Sequence, residues 1–259
     1  MSSQYDMYFL SKNYVNSDDT INVSSADLYK TRLYDQNYIL QWISSGETSE
    51  TGYDTYIEVI FYEGSNTINR TIDTFVLQNI NLADFKIQYY TGGAYAEIPD
   101  SEAIFTTNID TSKRIKLSNT ITTSKIKLLM KGTITPSEEK KVGQFWVLLE
   151  TYELENPHTT RTREDETMTG FQRMGNGDGV LWTLWDKWGK TYELEDLTDT
   201  QLLELEDIYR QHSLFTFYEN YSRNIDLIKQ VFWVEMFTGE DNPIQGIQLN
   251  TLTMKLVEK

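Results

Sequence analysis

Cysteine is absent from this sequence, and histidine occurs only twice, at 158 and 212. Without thiols there is no disulfide scaffold, no cysteine-based zinc site and no thiol catalysis. Neither His158 nor His212 has a second histidine at metal-ligand spacing, so no zinc centre is expected. Basic stretches are missing as well: 23 Lys and Arg stand against 39 Asp and Glu, a net charge of −16. A nucleic-acid binder needs a positive stripe to displace counterions from phosphates, and an anionic bilayer is disfavoured by the same sign argument. No run of 18 apolar residues exists, so no membrane insertion is expected. The polar start, Met1-Ser2-Ser3-Gln4-Tyr5-Asp6, lacks the basic-then-apolar pattern of a signal peptide.

Motifs of catalysis are scarce. There is no Gly-x-Ser-x-Gly elbow, no phosphate loop ending in Lys-Ser/Thr and no dinucleotide fingerprint. Carboxylate pairs such as Asp18-Asp19, Glu138-Glu139 and Glu164-Asp165-Glu166 sit among polar neighbours, where burial is not expected to tune them for acid–base work. An enzyme is not expected and neither is a cofactor; calcium is the one ion that the many loop Asp and Asn residues would suit.

What the sequence does have is aromatic and β-branched residues: 17 Tyr, 11 Phe and 6 Trp, with only 4 Pro. Disordered chains are poor in these residues, so the chain reads as folded and rich in strands. Over Phe85-Lys86-Ile87-Gln88-Tyr89 apolar and polar residues alternate, as they do over Lys125-Ile126-Lys127-Leu128, the period of a half-buried strand. Other strands are expected over 56–62, 72–77, 114–117 and 143–149, with a turn at Thr91-Gly92-Gly93-Ala94. Short strands at this spacing predict a β-sandwich jelly roll over 1–155.

A linker is expected at 156–164, where Pro157 and a polar run interrupt the pattern. The remainder, 165–259, reads as a second β-rich domain with one helix. Thr198-Asp199-Thr200-Gln201 has capping-box form and opens that helix, about 199–212, with Leu202, Leu205, Ile208 and Tyr209 on one stripe. Residues 175–179, Gly-Asn-Gly-Asp-Gly, are a hairpin turn using residues that tolerate positive φ.

Aromatic residues near turns are the candidate contacts. Trp42, Tyr53, Tyr90 and Tyr95 lie beside turn sequences, and Trp182, Trp185 and Trp188 crowd one segment. Such rings can stack on sugars or anchor a protein interface.

Several stretches carry resemblances. Ser24-Ser25-Ala26-Asp27-Leu28-Tyr29 leads through 33–37 to Gln41-Trp42; residues 72–82 form a strand and an Asn-rich turn before Phe85–Tyr89 in sequence; residues 125–132 and 142–147 supply closing strands. On these, residues 21–150 resemble a discoidin-like, galactose-binding jelly roll. Arg161-Thr162-Arg163, Tyr192-Glu193-Leu194, the helix, Leu214-Phe215-Thr216-Phe217-Tyr218 and Val231-Phe232-Trp233-Val234 follow in order. On these, residues 158–259 resemble the β domain of phage tail-tube and distal-tail proteins. Together the resemblances imply a virion structural protein of a tail or baseplate, assembled in the host cytoplasm. It would contact copies of itself and other virion proteins and display the jelly roll outward. The alternatives are an adhesion module for host surface glycans and a capsid decoration protein.

Overall fold

A computed structural model of the chain describes residues 6–35, 40–155, 157–163, 166–173, 179–187, 189–211, 214–219, 228–240 and 250–259. The chain is mainly β, and its described residues fall into two units. Those of 10–151 form one; those of 6–9, 152–219 and 228–259 form the other.

The 10–151 unit is a two-sheet sandwich. Its larger sheet runs Ile104–Phe105, Leu82–Thr91, Lys125–Thr133, Thr55–Ile60, Thr20–Val23, with Ala94–Glu97 also paired to Leu82–Thr91. The smaller runs Lys113–Thr123, Arg70–Gln78, Gln144–Leu148. The strands of these two sheets pair antiparallel. Strict alternation explains the layering. In Thr55–Ile60 and Lys125–Thr133, Ile57, Val59, Ile126, Leu128 and Met130 point inward and are fully buried, while Tyr56, Glu58, Lys125 and Lys127 point outward. The inward set meets Ile72, Phe75, Leu77, Ile115, Phe145 and Val147 of the smaller sheet in one core.

The other unit is built on a seven-stranded sheet in the order Glu150–Glu155, Asp6–Leu10, Phe215–Glu219, Lys229–Glu240, Asn250–Glu258, Gly189–Leu197, His158–Arg163. The expected helix is present over Asp199–Arg210, with residue 212 of the expected 199–212 outside the described residues, and both halves of the capping box form between Thr198 and Gln201. Leu205 is buried, and Leu202, Ile208 and Tyr209 pack on the core of Met7, Phe9, Phe217, Trp233 and Met254. A separate pair joins Glu166–Arg173 to Gly179–Lys187; of the turn expected at 175–179, residues 175–178 lie outside the described residues.

Two boundaries differ from those expected. Asp6–Leu10 belongs to the seven-stranded sheet and not to the jelly roll. Its residues are all buried, Asp6 followed by an apolar run that local pattern alone cannot assign to either core. The stretch expected as a linker contains a strand, His158–Arg163, paired with Gly189–Leu197. Its threonines are β-branched and suit a strand despite their polarity.

Asp19 ties the lead-in of the sandwich to the strand region. Its carboxylate accepts the Tyr62 amide at 3.0 Å, the Asn16 amide at 3.1 Å and Asn16 Nδ2 at 3.0 Å. Contrary to the expectation from its polar sequence neighbours, burial pushes the Asp19 carboxyl up to about 6 from an ordinary 3.8. Between those values the folded chain holds a proton that the unfolded chain has lost, so this group's contribution to stability falls as pH rises through that window. Asp19→Asn, neutral throughout, is expected to gain on the wild type between pH 4 and pH 7, read as the difference in urea-unfolding midpoints. A pH-independent difference would mean that Asp19 ionises as in an unfolded chain.

Candidate functional site on the sheet face

The outward positions of the larger sheet converge on one polar and aromatic face. Lys127 lies opposite Glu58 on one side and Gln88 on the other. Its ammonium meets Glu58 Oε1 at 3.2 Å and stands 4.4 Å from the centre of the Tyr95 ring and 4.8 Å from that of Tyr56. Tyr95 donates its hydroxyl to the same Glu58 oxygen at 2.6 Å, and Asn22 Nδ2 donates to the other at 2.7 Å. Burial alone would lift the Glu58 carboxyl, but the donors Tyr95, Asn22 and Lys127 outweigh it and hold the group below its usual range. Glu58 is therefore an ionised acceptor and not a proton donor at neutral pH.

The pattern repeats along the same face. Tyr53 donates to Asp84 at 2.6 Å, Lys131 pairs with Asp84 at 3.1 Å, and Lys86 pairs with Glu97 at 2.7 Å. Lys86 lies over the Tyr53 ring at 4.8 Å. Burial, then the bond to Asp84, pushes the Tyr53 hydroxyl up to about 12; burial and Glu58 raise Tyr95 as well. Both phenols stay protonated donors. Tyr90 pairs with Tyr95 across the hairpin, their rings edge to face at 5.5 Å, and Lys125 stands 4.7 Å from the Tyr90 ring.

Three of the aromatic residues picked out from the sequence, Tyr53, Tyr90 and Tyr95, thus share one surface. Trp42 does not. It is 0% exposed in the sandwich core, in a two-residue strand paired to Lys141–Val142, and cannot touch a ligand. Turn residues nearby suggested a loop tip, but the indole turns inward beneath the loops. Trp182 and Trp185 lie on the Gly179–Lys187 strand with side chains outside the described residues, as is Trp188 altogether. Sequence reasoning missed Tyr56, Glu58 and Asn22. The alternation that puts Lys125 and Lys127 outward also puts Tyr56 and Glu58 outward, but only the register between strands shows that they meet.

A concavity of about 410 Å³ opens elsewhere on the sandwich among Leu28, Tyr29, Ser44, Ser45 and Glu139. Leu28 is 88% exposed there, and the Arg32 guanidinium lies 4.2 Å from the Tyr29 ring centre. Nearby, the buried Lys140 ammonium donates to the carbonyls of Glu47 and Ser49 at 2.8 and 2.6 Å. Among the described residues no group of three or more His, Asp or Glu gathers to hold a metal ion, so the carboxylate cage that calcium favours is not formed by them. No helix among them is long and apolar enough to cross a membrane.

No protein-family model matches the sequence, nor does any curated protein sequence. Among solved structures, the chain is similar to the family 32 carbohydrate-binding module of NanJ from Clostridium perfringens, solved with galactose. The two share 12% identity over 55% of this chain and 98% of that one, with a TM-score of 0.41. It is similar to the family 32 module of EndoD from Streptococcus pneumoniae at 14% identity, over 52% of this chain and 98% of that one, TM-score 0.40. A chitosan-binding module from a Paenibacillus chitosanase/glucanase gives 14% identity, 52% and 97% coverage and a TM-score of 0.42.

Because Trp42 fills the core, Trp42→Ala is expected to cost roughly 3–5 kcal/mol of stability through lost burial and a residual cavity. Urea denaturation of the variant measures this; a loss under about 1 kcal/mol would return the indole to the surface.

Proposed function

We propose that residues 10–151 form a non-catalytic carbohydrate-binding module whose ligand lies on the outer face of the larger sheet. The observation that carries this reading is the gathering of Tyr53, Tyr56, Tyr90 and Tyr95 with Lys86, Lys127, Asn22 and Glu58 on one surface, each ring held by a neighbour. A sugar presents apolar C–H faces and a rim of hydroxyls. Aromatic faces receive the former, and amine, amide and carboxylate groups pair with the latter. The rings are fixed before binding by hydrogen bonds and by lysines alongside, so little side-chain entropy is lost on contact.

The saccharide reading stood second on the sequence, behind the tail or baseplate role. It takes first place because the tyrosines it named share a polar face. No observation among the described residues of the helix-bearing unit favours the tail role in the same way.

Affinity electrophoresis of the full chain through galactan, mannan, xylan and chitosan, with polygalacturonate and sulfated galactan beside them, tests the proposal. Retardation is expected on at least one polymer. Tyr56→Ala and Tyr90→Ala should each weaken it about tenfold, the loss of roughly 1.4 kcal/mol of ring contact. Free migration through every polymer would sink the reading, as would retardation indifferent to both substitutions.

A further inference from the structure

Resting on that reading, we infer that the corner formed by Tyr90, Tyr95 and Lys125 receives an acidic sugar, one carrying a carboxylate or sulfate, with Lys125 as its anchor.

Acceptors and donors are unevenly matched on the face. Glu58 already accepts from Tyr95, Asn22 and Lys127, which takes up most of a carboxylate's capacity. Asp84 accepts from Tyr53 and Lys131, and Glu97 from Lys86. A neutral sugar needs acceptors for its hydroxyl protons as well as donors for its oxygens, and about half of the acceptor capacity of these three carboxylates is already committed. Donors are in surplus. The network has four lysines, Lys86, Lys125, Lys127 and Lys131, against three carboxylates, and Lys125 is the one without an acidic partner among the described residues.

Its position gives that surplus a use. Lys125 lies opposite Ile60 in the neighbouring strand, an apolar residue that offers no counter-charge. Its ammonium stands beside the Tyr90 ring, and that ring meets Tyr95. Thr123 Oγ1 accepts the Tyr90 amide at 3.1 Å, bonds the Tyr90 carbonyl at 2.9 Å and accepts the Lys125 amide at 3.2 Å, so one hydroxyl fixes the backbone of both residues. A pyranose packed on the tyrosine pair would place an acidic substituent within reach of an ammonium with three N–H donors, and the charge-assisted bond is roughly twice as strong as a neutral one. In a chain of net charge −16, the Lys125 ammonium offers an anionic polymer a point of local attraction.

The test compares polymers that differ only in charge: polygalacturonate with its methyl ester, and a sulfated galactan with its desulfated form, each against wild type and Lys125→Gln. Wild type is expected to bind the acidic member of at least one pair about tenfold more tightly, as one charge-assisted contact implies. Lys125→Gln should erase that preference while keeping the wild-type unfolding midpoint. Equal binding within both pairs, or a preference that survives Lys125→Gln, would overturn the inference and leave the carbohydrate reading standing. So would retardation by the neutral polymers alone. Failure to bind any polymer, charged or neutral, would remove both.

Discussion

The register of the Lys125–Thr133 strand governs the sandwich and its outer face alike. Six of its residues pair with Thr55–Ile60, and the other edge pairs with Leu82–Thr91. Because side chains alternate with period two, a slip of one residue would push Ile126, Leu128 and Met130 into solvent and three lysines into the core. The cost of burying unpaired ammonium groups forbids that arrangement. The same constraint that seals the core therefore delivers Lys125, Lys127 and Lys131 to one surface, about 7 Å apart for each two-residue step. Lys127 meets Glu58 because hydrophobic burial has already put them opposite each other.

Energetically the face is a positioning device more than a source of stability. Its ion pairs involve partly exposed side chains, such as Lys86 with Glu97 and Lys131 with Asp84, and pairs of this kind contribute between nothing and about 1 kcal/mol each. A cation beside an exposed ring adds a similar increment. What the network gains is order. Glu58 takes three donors from three strands, Thr20–Val23, Ala94–Glu97 and Lys125–Thr133, so each donor limits the rotamers of the others. The tyrosine rings are held by their neighbours without help from a ligand.

Much of this was legible in the sequence, and the failures have physical causes. The alternation at 85–89 and 125–130 gave the strands and their inward faces, and the Thr198–Gln201 capping box gave the helix start because both rest on local chemistry. Tyr90 and Tyr95 flank a tight turn whose Gly92 and Gly93 adopt positive φ, so their meeting across the hairpin was a local matter too. Trp42 failed because burial is a tertiary property: polar neighbours at Gln41 and Ser44 mark a loop, yet Ser44 itself is fully buried and bonded to Lys140. The Asp6–Leu10 strand failed for the converse reason. It is buried throughout, its partners lie more than a hundred residues away, and no short-range signal says which sheet will receive it. The partners of Glu58 come from residues 36 or more positions away; sequence could name the tyrosines but not the carboxylate that holds them.

The acidity of the chain and the lysines of the face are compatible once distance is considered. At physiological ionic strength charges act over about 8 Å, so the −16 total governs solubility while a bound polymer feels chiefly the groups beneath it. Beneath it lie ammonium groups already partly neutralised, except at Lys125. A face with every charge matched would be selective for shape alone. A face with many unmatched lysines would adhere to any polyanion. One unmatched ammonium beside an ordered ring pair, on a scaffold that otherwise repels anions, favours a ligand that satisfies both conditions at the same point: an apolar ring face for the tyrosines and a negative substituent for the lysine.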